Sequence, residues 1–279
     1  MNDTSTSLHP STFRLRRRTP GSFVLVPCPK IGCSLRCQGQ LERSAAVVMA
    51  ACPTIANIQE QPFEIWYAWR ETLNGIQIRL VSEKPKKRRN KKTGDRFSYI
   101  VPDFLTSGSN DRCRLVEIKP SRKLTRSDVR RKLVVAQLFA RSHGWSFHLV
   151  TEEHLFSGPL ISTIKLISRY RVIDAKDALL SKICQRVPGD GCAIGDLVDE
   201  VTRFADPAIA KAHLFHVLSL DELSFDPLVQ PLSDVTLVFP KGVITWDPFD
   251  SLWVSNSCAM GGPFEWSANS PTTALLPKM

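Results

Sequence analysis

Three charged residues in two neighbouring segments carry the first chemical signal of the sequence. Pro102-Asp103 is followed, after thirteen residues, by Glu117-Ile118-Lys119. Both segments have strand-like apolar flanks and a glycine-containing turn lies between them, so the pattern predicts an antiparallel hairpin. Side chains alternate along a strand, so Glu117 and Lys119 should share a face, with Asp103 near the end of the neighbouring strand. The spacing therefore brings two carboxylates and one ammonium to the same patch.

Such a patch fits hydrolysis of a phosphodiester with Mg²⁺. This ion takes carboxylate and water oxygens as ligands, and it stabilises the charge that develops on phosphate oxygens in the transition state. A lysine beside it can hold or deprotonate the attacking water. A third carboxylate is expected from a preceding helix, and Glu42 is the candidate because it is the only acid of its segment and precedes the strands.

A structural explanation of the same residues stands beside the catalytic one. Surface strands often carry Glu and Lys on one face, and the dipeptide Pro-Asp is common by chance. The flanking segments, however, are apolar, and three charged groups beside internal strands would be costly without a metal ion. A nuclease site is therefore the favoured interpretation.

The elements that must position these residues alternate between helices and strands. Apolar periodicity predicts helices over residues 38–52, which Pro53 ends, and over residues 124–142, which Gly144 ends. Alternation of apolar and polar residues predicts strands over residues 58–70, 75–81, 97–105, 114–119 and 145–150. Together they predict an α/β domain over residues 38–157, in which helices flank a mixed sheet.

The remaining chain is expected to form an arm, a second domain and a tail. Residues 1–37 have no apolar period and predict a flexible basic arm. Helices are expected within residues 160–186, 194–204 and 207–220, and strand-like runs follow within residues 225–239. Three short helices followed by a hairpin are typical of a winged-helix-like α+β domain, placed here over residues 160–245. Residues 255–279 predict a disordered tail.

The charge of the chain favours a polyanionic partner. The 279 residues have a formal net charge of +10, and residues 1–159 hold 27 Lys+Arg against 13 Asp+Glu, whereas residues 160–279 hold 10 against 14. Nucleic acid is the commonest polyanion that such a basic half binds, although a solvated basic surface has the same composition. No stretch of 18 apolar residues occurs, so a membrane partner is not expected.

Basic residues near the proposed site are the candidates for DNA contacts. The loop 84–96 has eight basic residues and one acid, and it is either a clamp on the DNA backbone or a solvated charged loop. Cys28, Cys33 and Cys37 lie close in sequence but lack an obvious fourth zinc ligand, so reduced thiols are expected. The DNA-binding candidates are Lys86, Lys87, Arg88, Arg89, Arg122, Lys123, Arg126, Arg130 and Arg131.

The order of these motifs resembles the N-terminal domain of the TnsA endonuclease family, the nuclease subunit of Tn7-type transposases. The resemblance implies that residues 38–157 form an endonuclease domain with a restriction-endonuclease-like core. The resemblance covers residues 42–154, under half of the chain. The matching segments, in order, are the helix with Glu42, Ile58-Gln59-Glu60-Gln61-Pro62, Tyr99-Ile100-Val101-Pro102-Asp103-Phe104, Val116-Glu117-Ile118-Lys119, and Phe147-His148-Leu149-Val150-Thr151-Glu152 after Gly144.

The resemblance implies roles for the matching residues. Glu42 and Asp103 would be metal ligands, and Lys119 would be the catalytic lysine. Glu117 stands at a further ligand position, where some relatives have Gln, and Gln61 matches a position of undefined task. The second domain of the family is a winged-helix-like module that contacts partner proteins. The basic N-terminal arm has no counterpart in the resemblance.

The resemblance also implies a reaction and its partners. The chain would cut double-stranded DNA at the 5′ ends of a transposon, with Mg²⁺ or alternatively Mn²⁺, in the bacterial cytoplasm. A DDE-type, TnsB-like transposase and an AAA+, TnsC-like regulator would be its partners. Two rivals remain: a stand-alone nuclease of the same fold used in defence or repair, and a DNA-binding assembly protein that does not cleave.

Overall fold

A computed structural model describes most of the chain. The described residues are 23–108, 112–174, 177–253, 265–266 and 273–277. No helix within these ranges has the length and apolar character needed to cross a membrane. The chain divides into two compact units. Unit 1 comprises Met1–Arg43, Ile55–Glu152 and Trp253–Met279, and unit 2 comprises Ser44–Thr54 and Glu153–Leu252.

The described segments combine strands and helices, as the α/β prediction requires. The strands are β1 Val24–Cys28, β2 Cys33–Cys37, β3 Ile55–Glu60, β4 Ile65–Thr72, β5 Gly75–Leu80, β6 Arg96–Ile100, β7 Phe104–Gly108, β8 Cys113–Ile118, β9 Ser146–Val150, β10 Cys192–Ala193, β11 Leu223–Ser224, β12 Leu237–Pro240, β13 Glu265–Trp266 and β14 Thr273–Pro277. The helices are α1 Gln40–Ala51, α2 Ser127–Ser142, α3 Glu152–Phe156, α4 Leu160–Ser168, α5 Asp177–Gln185, α6 Ile194–Val201, α7 Pro207–Ser219 and α8 Pro248–Ser251.

The four-stranded sheet of unit 1 holds the predicted hairpin. Its order is β3-β7-β8-β9; β7 pairs antiparallel with both β3 and β8, whereas β8 pairs parallel with β9. A parallel pair needs a crossover connection, and α2 provides it between β8 and β9. The hairpin β7–β8 aligns Phe104 with Val116, which sets Asp103 beside the end of β8.

A second sheet in unit 1 has the order β13-β14-β5-β4-β6. Its last-numbered strand, β14, pairs antiparallel with β5 from Thr273 opposite Arg79 to Pro277 opposite Gly75. The prediction of a disordered tail is therefore wrong for β13 and β14, because β14 pairs with β5 and β13 pairs with β14, without a strong sequence signal for either strand. The rest of that predicted tail lies outside the described residues.

Helix α2 supplies much of the core of unit 1. Its residues Leu133, Val134 and Leu138 are fully buried. They belong to one apolar cluster with side chains of both sheets, among them Tyr67 of β4 and Leu115 of β8. The apolar periodicity that predicted this helix is thus explained by packing, since each turn of α2 presents side chains to a sheet.

Two predicted strands are each divided in the structure. The segment 58–70 forms β3 and β4 around Gln61 and Pro62, and the segment 97–105 forms β6 and β7 around Pro102. Proline has no backbone N–H to donate to a ladder, so each strand ends before it. Gln61 also has a positive φ of 43°, which a continuous strand does not allow. The alternation of apolar and polar residues continues through both breaks, so the sequence pattern predicted one strand where the structure has two.

Part of the predicted N-terminal arm is ordered. Strands β1 and β2 form a hairpin in which Val24 aligns with Cys37 and Cys28 with Cys33. Gly32, with a φ of 65°, reverses the chain between them. The arm prediction is wrong for Val24–Cys37, because buried alternate residues such as Leu35 anchor the hairpin. Residues 1–22 of the predicted arm lie outside the described part of the chain.

Unit 2 contains helices α3 to α8 and a small sheet. The order of that sheet is β10-β12-β11, with both pairings antiparallel. Gly191, with a φ of 85°, leads into β10, and a Cβ added there would stand 2.6 Å from the ring of Phe239. Glycine is therefore the residue that lets the chain pass beneath β12. The predicted boundaries of the second domain, 160–245, stay a prediction.

Candidate active site

The carboxylate of Asp103 is fixed at the edge of the four-stranded sheet. It lies one residue before β7, and its Oδ2 accepts hydrogen bonds from the backbone N–H of Ile118 at 2.7 Å and from Lys119 Nζ at 2.8 Å. Its own carbonyl oxygen accepts the backbone N–H of Gln61 at 3.0 Å. Contacts from two neighbouring segments therefore hold Asp103 in place.

Glu117 and Lys119 lie on one side of the end of β8, as strand alternation predicts. The Lys119 ammonium is 2.7 Å from Glu117 Oε2 and 2.8 Å from Asp103 Oδ2. Glu117 is only 5% exposed and Ile118, on the other side, is buried. Lys119 also donates its backbone N–H to the carbonyl of Val150 on β9, at 3.0 Å. The amine thus stands between two carboxylates.

Glu42 joins this group from the first turn of α1. Its Oε2 accepts the backbone N–H of Gln38 at 2.7 Å, a contact typical of an acid near a helix N-terminus. The charges of Asp103 and Lys119 both act on it, so the three groups lie within electrostatic reach. The structure therefore brings together all four residues that the sequence proposed: Glu42, Asp103, Glu117 and Lys119.

Burial and mutual repulsion disfavour the charged forms of two of these acids. Desolvation, and then the charge of Asp103, raise the pKa of Glu42 to about 7. Desolvation also raises the pKa of Glu117 to about 8, although the Lys119 ammonium opposes the shift. Burial alone would lower the pKa of Lys119, but the carboxylates of Asp103 and Glu117 outweigh it and raise that pKa. The site holds more carboxyl groups than one lysine neutralises, so their charged forms are disfavoured.

The chemistry of these donors fits a hard divalent cation. Carboxylate oxygens are the preferred ligands of Mg²⁺, and the raised pKa values show a place where added positive charge would be stabilising. In the arrangement described, the Lys119 ammonium occupies the position between Asp103 and Glu117. Accordingly, no group of three or more His, Cys, Asp or Glu within the described residues is arranged to hold a metal ion.

A fourth acid, Glu152, supports the segment that follows Lys119. Its two carboxylate oxygens accept the backbone N–H of Ser121 at 2.8 Å and the Ser121 hydroxyl at 2.6 Å. These two hydrogen bonds lower the pKa of Glu152. The sequence interpretation matched Glu152 to a family segment but gave it no role, because a contact across 31 residues leaves no local pattern.

Two further residues of this region were not singled out as site residues. Glu60, at the end of β3, is 7% exposed and forms an ion pair with Arg36 of β2 at 2.9 Å. Burial and the charges of Glu42 and Glu60 raise the pKa of the Cys37 thiol to about 12, so that thiol stays protonated. The signal for Glu60 was an acid directly before Gln61 and Pro62, where a strand ends.

The proposed DNA contacts differ in how they are placed. Arg122 and Lys123 are exposed in a short 3₁₀ helix two residues beyond Lys119, and Arg126 is exposed beside Asp128. The loop residues Lys86, Lys87, Arg88 and Arg89 are also exposed.

The last two candidates on α2 are less accessible. Arg130 is buried at 7% exposure, and the Arg131 guanidinium stacks over the ring of Trp69, 4.0 Å from its centroid. These two positions therefore do not present a free cation to a DNA backbone. Helical periodicity places both residues near the face of α2 that packs in the core. The sequence interpretation selected them for the basic composition of the helix and did not consider this face.

The mixed sheet flanked by helices, with carboxylates and a lysine at one edge, fits the restriction-endonuclease-like fold class. Within that class the chain matches one family: residues 52–152 match the model described as TnsA-like endonuclease N terminal. This part of the chain is thus a TnsA-like endonuclease domain, related to the nucleases of Tn7 transposition, which confirms the resemblance seen in the sequence. The match includes Asp103, Glu117 and Lys119 and begins after Glu42. No curated protein matches the sequence.

Proposed function

We propose that the chain is the Mg²⁺-dependent DNA endonuclease subunit of a Tn7-type transposase and cuts at the 5′ ends of the element. The observation that supports this most is the convergence of Asp103, Glu117 and Lys119 inside the segment that matches the TnsA-like family, with Glu42 within electrostatic reach from outside that segment. A solely structural ion pair would need one acid for one lysine, whereas this site holds a surplus of acids.

Glu42, Asp103 and Glu117 would hold the metal ion, with Mn²⁺ as the alternative to Mg²⁺, once the Lys119 ammonium moves from its position between Asp103 and Glu117. The bound ion supplies Lewis-acid stabilisation of charge on a phosphate oxygen. Asp103 is suited to a fixed ligand position because the Ile118 N–H already orients its carboxylate. Glu117 and Glu42 would lose their protons as the ion binds, since both pKa values lie near neutrality without it.

The sequence offered two tasks for Lys119, to hold or to deprotonate the attacking water, and the first is the one proposed. Its raised pKa keeps it an ammonium at neutral pH, so it is not the base that deprotonates water. It is suited instead to hold the scissile phosphate or the attacking water by charge and hydrogen bonding. In the reaction, a water oxygen forms the new bond to phosphorus and releases a proton to solvent, the bond to the leaving oxygen breaks, and that oxygen takes up a proton from solvent.

Exposed basic residues would carry the DNA. Arg122, Lys123 and Arg126 follow Lys119 directly, so their cations lie where the backbone of a bound strand would approach. The loop residues Lys86, Lys87, Arg88 and Arg89 would provide a second set of phosphate contacts. Phosphate contacts fix orientation and depend on salt, but they carry no sequence information. Recognition of specific transposon ends would therefore come from a partner.

Unit 2 is proposed to be a winged-helix-like module that contacts partner proteins. In its favour are the element order α5, β10, α6, α7, β11, β12 and the sheet order β10-β12-β11. The exposed start of α7 carries Ile209 and Lys211, with Asp206 and Asp234 nearby, so it lacks the positive charge of a DNA-reading helix. A TnsB-like DDE transposase and a TnsC-like AAA+ regulator are the proposed partners.

The decisive experiment combines the full chain with a candidate TnsB-like DDE transposase, a candidate TnsC-like AAA+ protein and a plasmid carrying the transposon ends. Cleavage at the 5′ ends, mapped by sequencing, is expected only with all proteins and with Mg²⁺ or Mn²⁺. It should disappear with Asp103→Ala or Lys119→Ala while 3′-end cleavage by the transposase continues.

Two other outcomes would replace the proposal. Cutting of plasmid by the chain alone, with no dependence on the partners, would establish the stand-alone nuclease. Undiminished 5′ cleavage or transposition with both Asp103→Ala and Lys119→Ala would leave the chain as a DNA-binding assembly protein.

A further inference from the structure

The second sheet of unit 1 has an aromatic outer face that the proposed cleavage site does not use. Strand β4 turns Ile65 and Tyr67 into the core beside α2, and alternation turns Trp66 to the opposite face. On the paired strand β6, Phe97 and Tyr99 share that outer face, and Tyr99 is 40% exposed. We call Trp66, Phe97 and Tyr99 the aromatic platform.

The platform is held in a defined geometry. Trp66 aligns with Tyr99 across the two strands, and their ring centroids are 4.8 Å apart at an interplanar angle of 37°. The indole N–H of Trp66 donates to Glu64 at 3.1 Å, and Lys84 Nζ lies 5.5 Å from the Trp66 ring centroid. The rings are therefore ordered before any ligand arrives, which lowers the entropy lost on binding.

Positive charge borders the platform. Lys84 begins the loop 84–96, which has eight basic residues and one acid, Asp95. Arg79 of β5 is exposed opposite Ala68, the residue that also aligns with Phe97, and it reaches Asp95 only at 3.9 Å. An apolar face bordered by cations complements a ligand that has both flat rings and negative charges.

The platform is close to the proposed cleavage site along the chain. Tyr99 precedes Asp103 by four residues, a length of backbone that spans at most about 14 Å when fully extended. Trp66 is opposite Tyr99 and follows Gln61, whose N–H binds the Asp103 carbonyl, by five residues. A DNA strand held at the Asp103 carboxylate can therefore reach the rings.

We propose that the aromatic platform binds unpaired bases of single-stranded DNA next to the strand that is cut. The inference rests on the proposed nuclease function for its choice of DNA as the ligand. Bases stack on aromatic side chains in proteins that hold single strands, and a basic border follows the backbone. Bases within a duplex are stacked on each other and do not offer their faces, so the platform discriminates in favour of frayed, gapped or cut ends.

The test measures binding of the full chain to fluorescently labelled oligonucleotides by anisotropy, in EDTA so that cleavage cannot occur. The probes are a twelve-residue oligothymidylate, its abasic counterpart, an RNA oligouridylate and a blunt duplex. Trp66→Ala and Tyr99→Ala should each weaken binding to the oligothymidylate about tenfold, the effect expected for loss of one stacked base. Both should leave binding to the abasic strand and the duplex within about twofold.

Matched variants separate stacking from folding. Trp66→Phe and Tyr99→Phe keep a ring and should restore most of the affinity, whereas Leu73→Ala, at a residue 94% exposed in the β4–β5 turn, should have no effect. Equal affinity of Trp66→Ala, Tyr99→Ala and the natural chain for the oligothymidylate would overturn the proposal. So would tighter binding of the RNA probe, or an effect of the alanine variants on self-association without one on DNA binding.

The readout is independent of cleavage. If the chain cuts no DNA under any condition but loses oligothymidylate binding with Trp66→Ala, the platform stands and the nuclease proposal fails. If the chain cuts transposon ends and the platform variants bind every probe normally, the nuclease proposal stands and the platform fails.

Discussion

Two carboxylates near Lys119, those of Glu117 and Glu152, differ in their surroundings. Glu117, two residues before the lysine, is buried together with Asp103, and burial raises its pKa to about 8. Glu152 holds Ser121, two residues after the lysine, through two hydrogen bonds, and these lower its pKa. One acid has its charge opposed by its surroundings, and the other has its charge satisfied by donors.

This difference distinguishes an acid that the proposed chemistry would use from an acid that supports the backbone. A hydrogen-bonded carboxylate such as Glu152 needs nothing further, so it serves to fix the backbone beyond Lys119. Burial and the charge of Asp103 both disfavour the ionised forms of Glu42 and Glu117. A bound cation would stabilise these ionised forms. Crowded acids within a folded core are a recurrent mark of functional sites.

The largest expected effect is on cleavage. Asp103→Ala and Lys119→Ala should each lower the cleavage rate by at least about 10³-fold, because each removes a group that contacts the reacting phosphate, the water or the ion. The rate is measured with the reconstituted proteins on a transposon-bearing plasmid. Lys241→Ala, at an exposed lysine paired with Glu222, is the matched control and should cut normally. A cleavage rate near normal for either Asp103→Ala or Lys119→Ala would show that the substituted residue is not needed for cleavage.

A smaller effect on cleavage is expected from substitution of Glu152, the acid whose carboxylate is hydrogen-bonded to Ser121. Glu152→Gln should slow cleavage about tenfold, the usual cost of disturbing a residue that orients a metal-site residue. The reason is that one acceptor oxygen of the Ser121 clamp is lost and the segment after Lys119 loosens. Steady-state assays should show the loss in the rate constant rather than in DNA affinity. If Glu152→Gln were as inactive as Asp103→Ala, Glu152 would belong with the crowded acids.

Added metal should stabilise the folded protein through the site of Glu42, Asp103 and Glu117, and Glu152 should not contribute to this effect. At pH 8, 10 mM Mg²⁺ should raise the melting temperature by roughly 5 °C over EDTA, since a ligand that binds only the folded state stabilises it by mass action. Differential scanning fluorimetry measures the shift. Glu152→Gln should keep it and Asp103→Ala should lose it. A shift of the same size in Asp103→Ala would place the ion elsewhere.

The smallest expected effect is a pH-dependent gain in stability. An acid whose pKa is raised in the folded state binds protons more tightly there than in the unfolded chain, so its stabilising contribution is present below about pH 4.5 and is lost as pH rises through about 7 to 8. Without metal, Glu42→Gln and Glu117→Gln should therefore melt about 3 °C above the natural chain at pH 8.5, with a smaller difference at pH 5.5.

For Glu152, the expected change in melting temperature on substitution by Gln has the opposite sign. The pKa of Glu152 is lowered, so its contribution is present above its ordinary pKa and is lost as pH falls. Glu152→Gln should be less stable than the natural chain at pH 7, and the deficit should shrink toward pH 4. Parallel melting curves for Glu117→Gln and Glu152→Gln across this range would remove the distinction between the two kinds of acid.

Local patterns in the sequence were sufficient to place the four site residues in the same region. The periodicity of α2 and the alternation around Asp103 and Glu117 depend on neighbouring residues only, and both features are present in the structure. The breaks at Gln61 and Pro102 were missed because the alternation of apolar residues continues across them. The hairpin β1–β2 was missed because its five-residue strands contain proline and cysteine instead of a clear apolar period.

What the sequence could not provide was the surroundings of each charge. The raised pKa of Lys119 depends on the burial of Glu117 and on two distances below 3 Å, neither of which a linear pattern encodes. The role of Arg130 was overestimated for the same reason, since composition counts a cation without showing that it is 7% exposed. Glu152 and Ser121 meet only after β9 returns beside β8.

The pairing of β14 with β5 has a practical consequence for handling the protein. Backbone groups from Gly75 to Arg79 find their partners in Thr273–Pro277. A truncation before residue 273 would leave those backbone N–H and C=O groups of β5 unpaired at the edge of the sheet. An unpaired edge strand can pair with strands of other chains. Shortened forms of this protein should therefore be prone to aggregate, and an affinity tag is better joined through a spacer that leaves the closing strand in register.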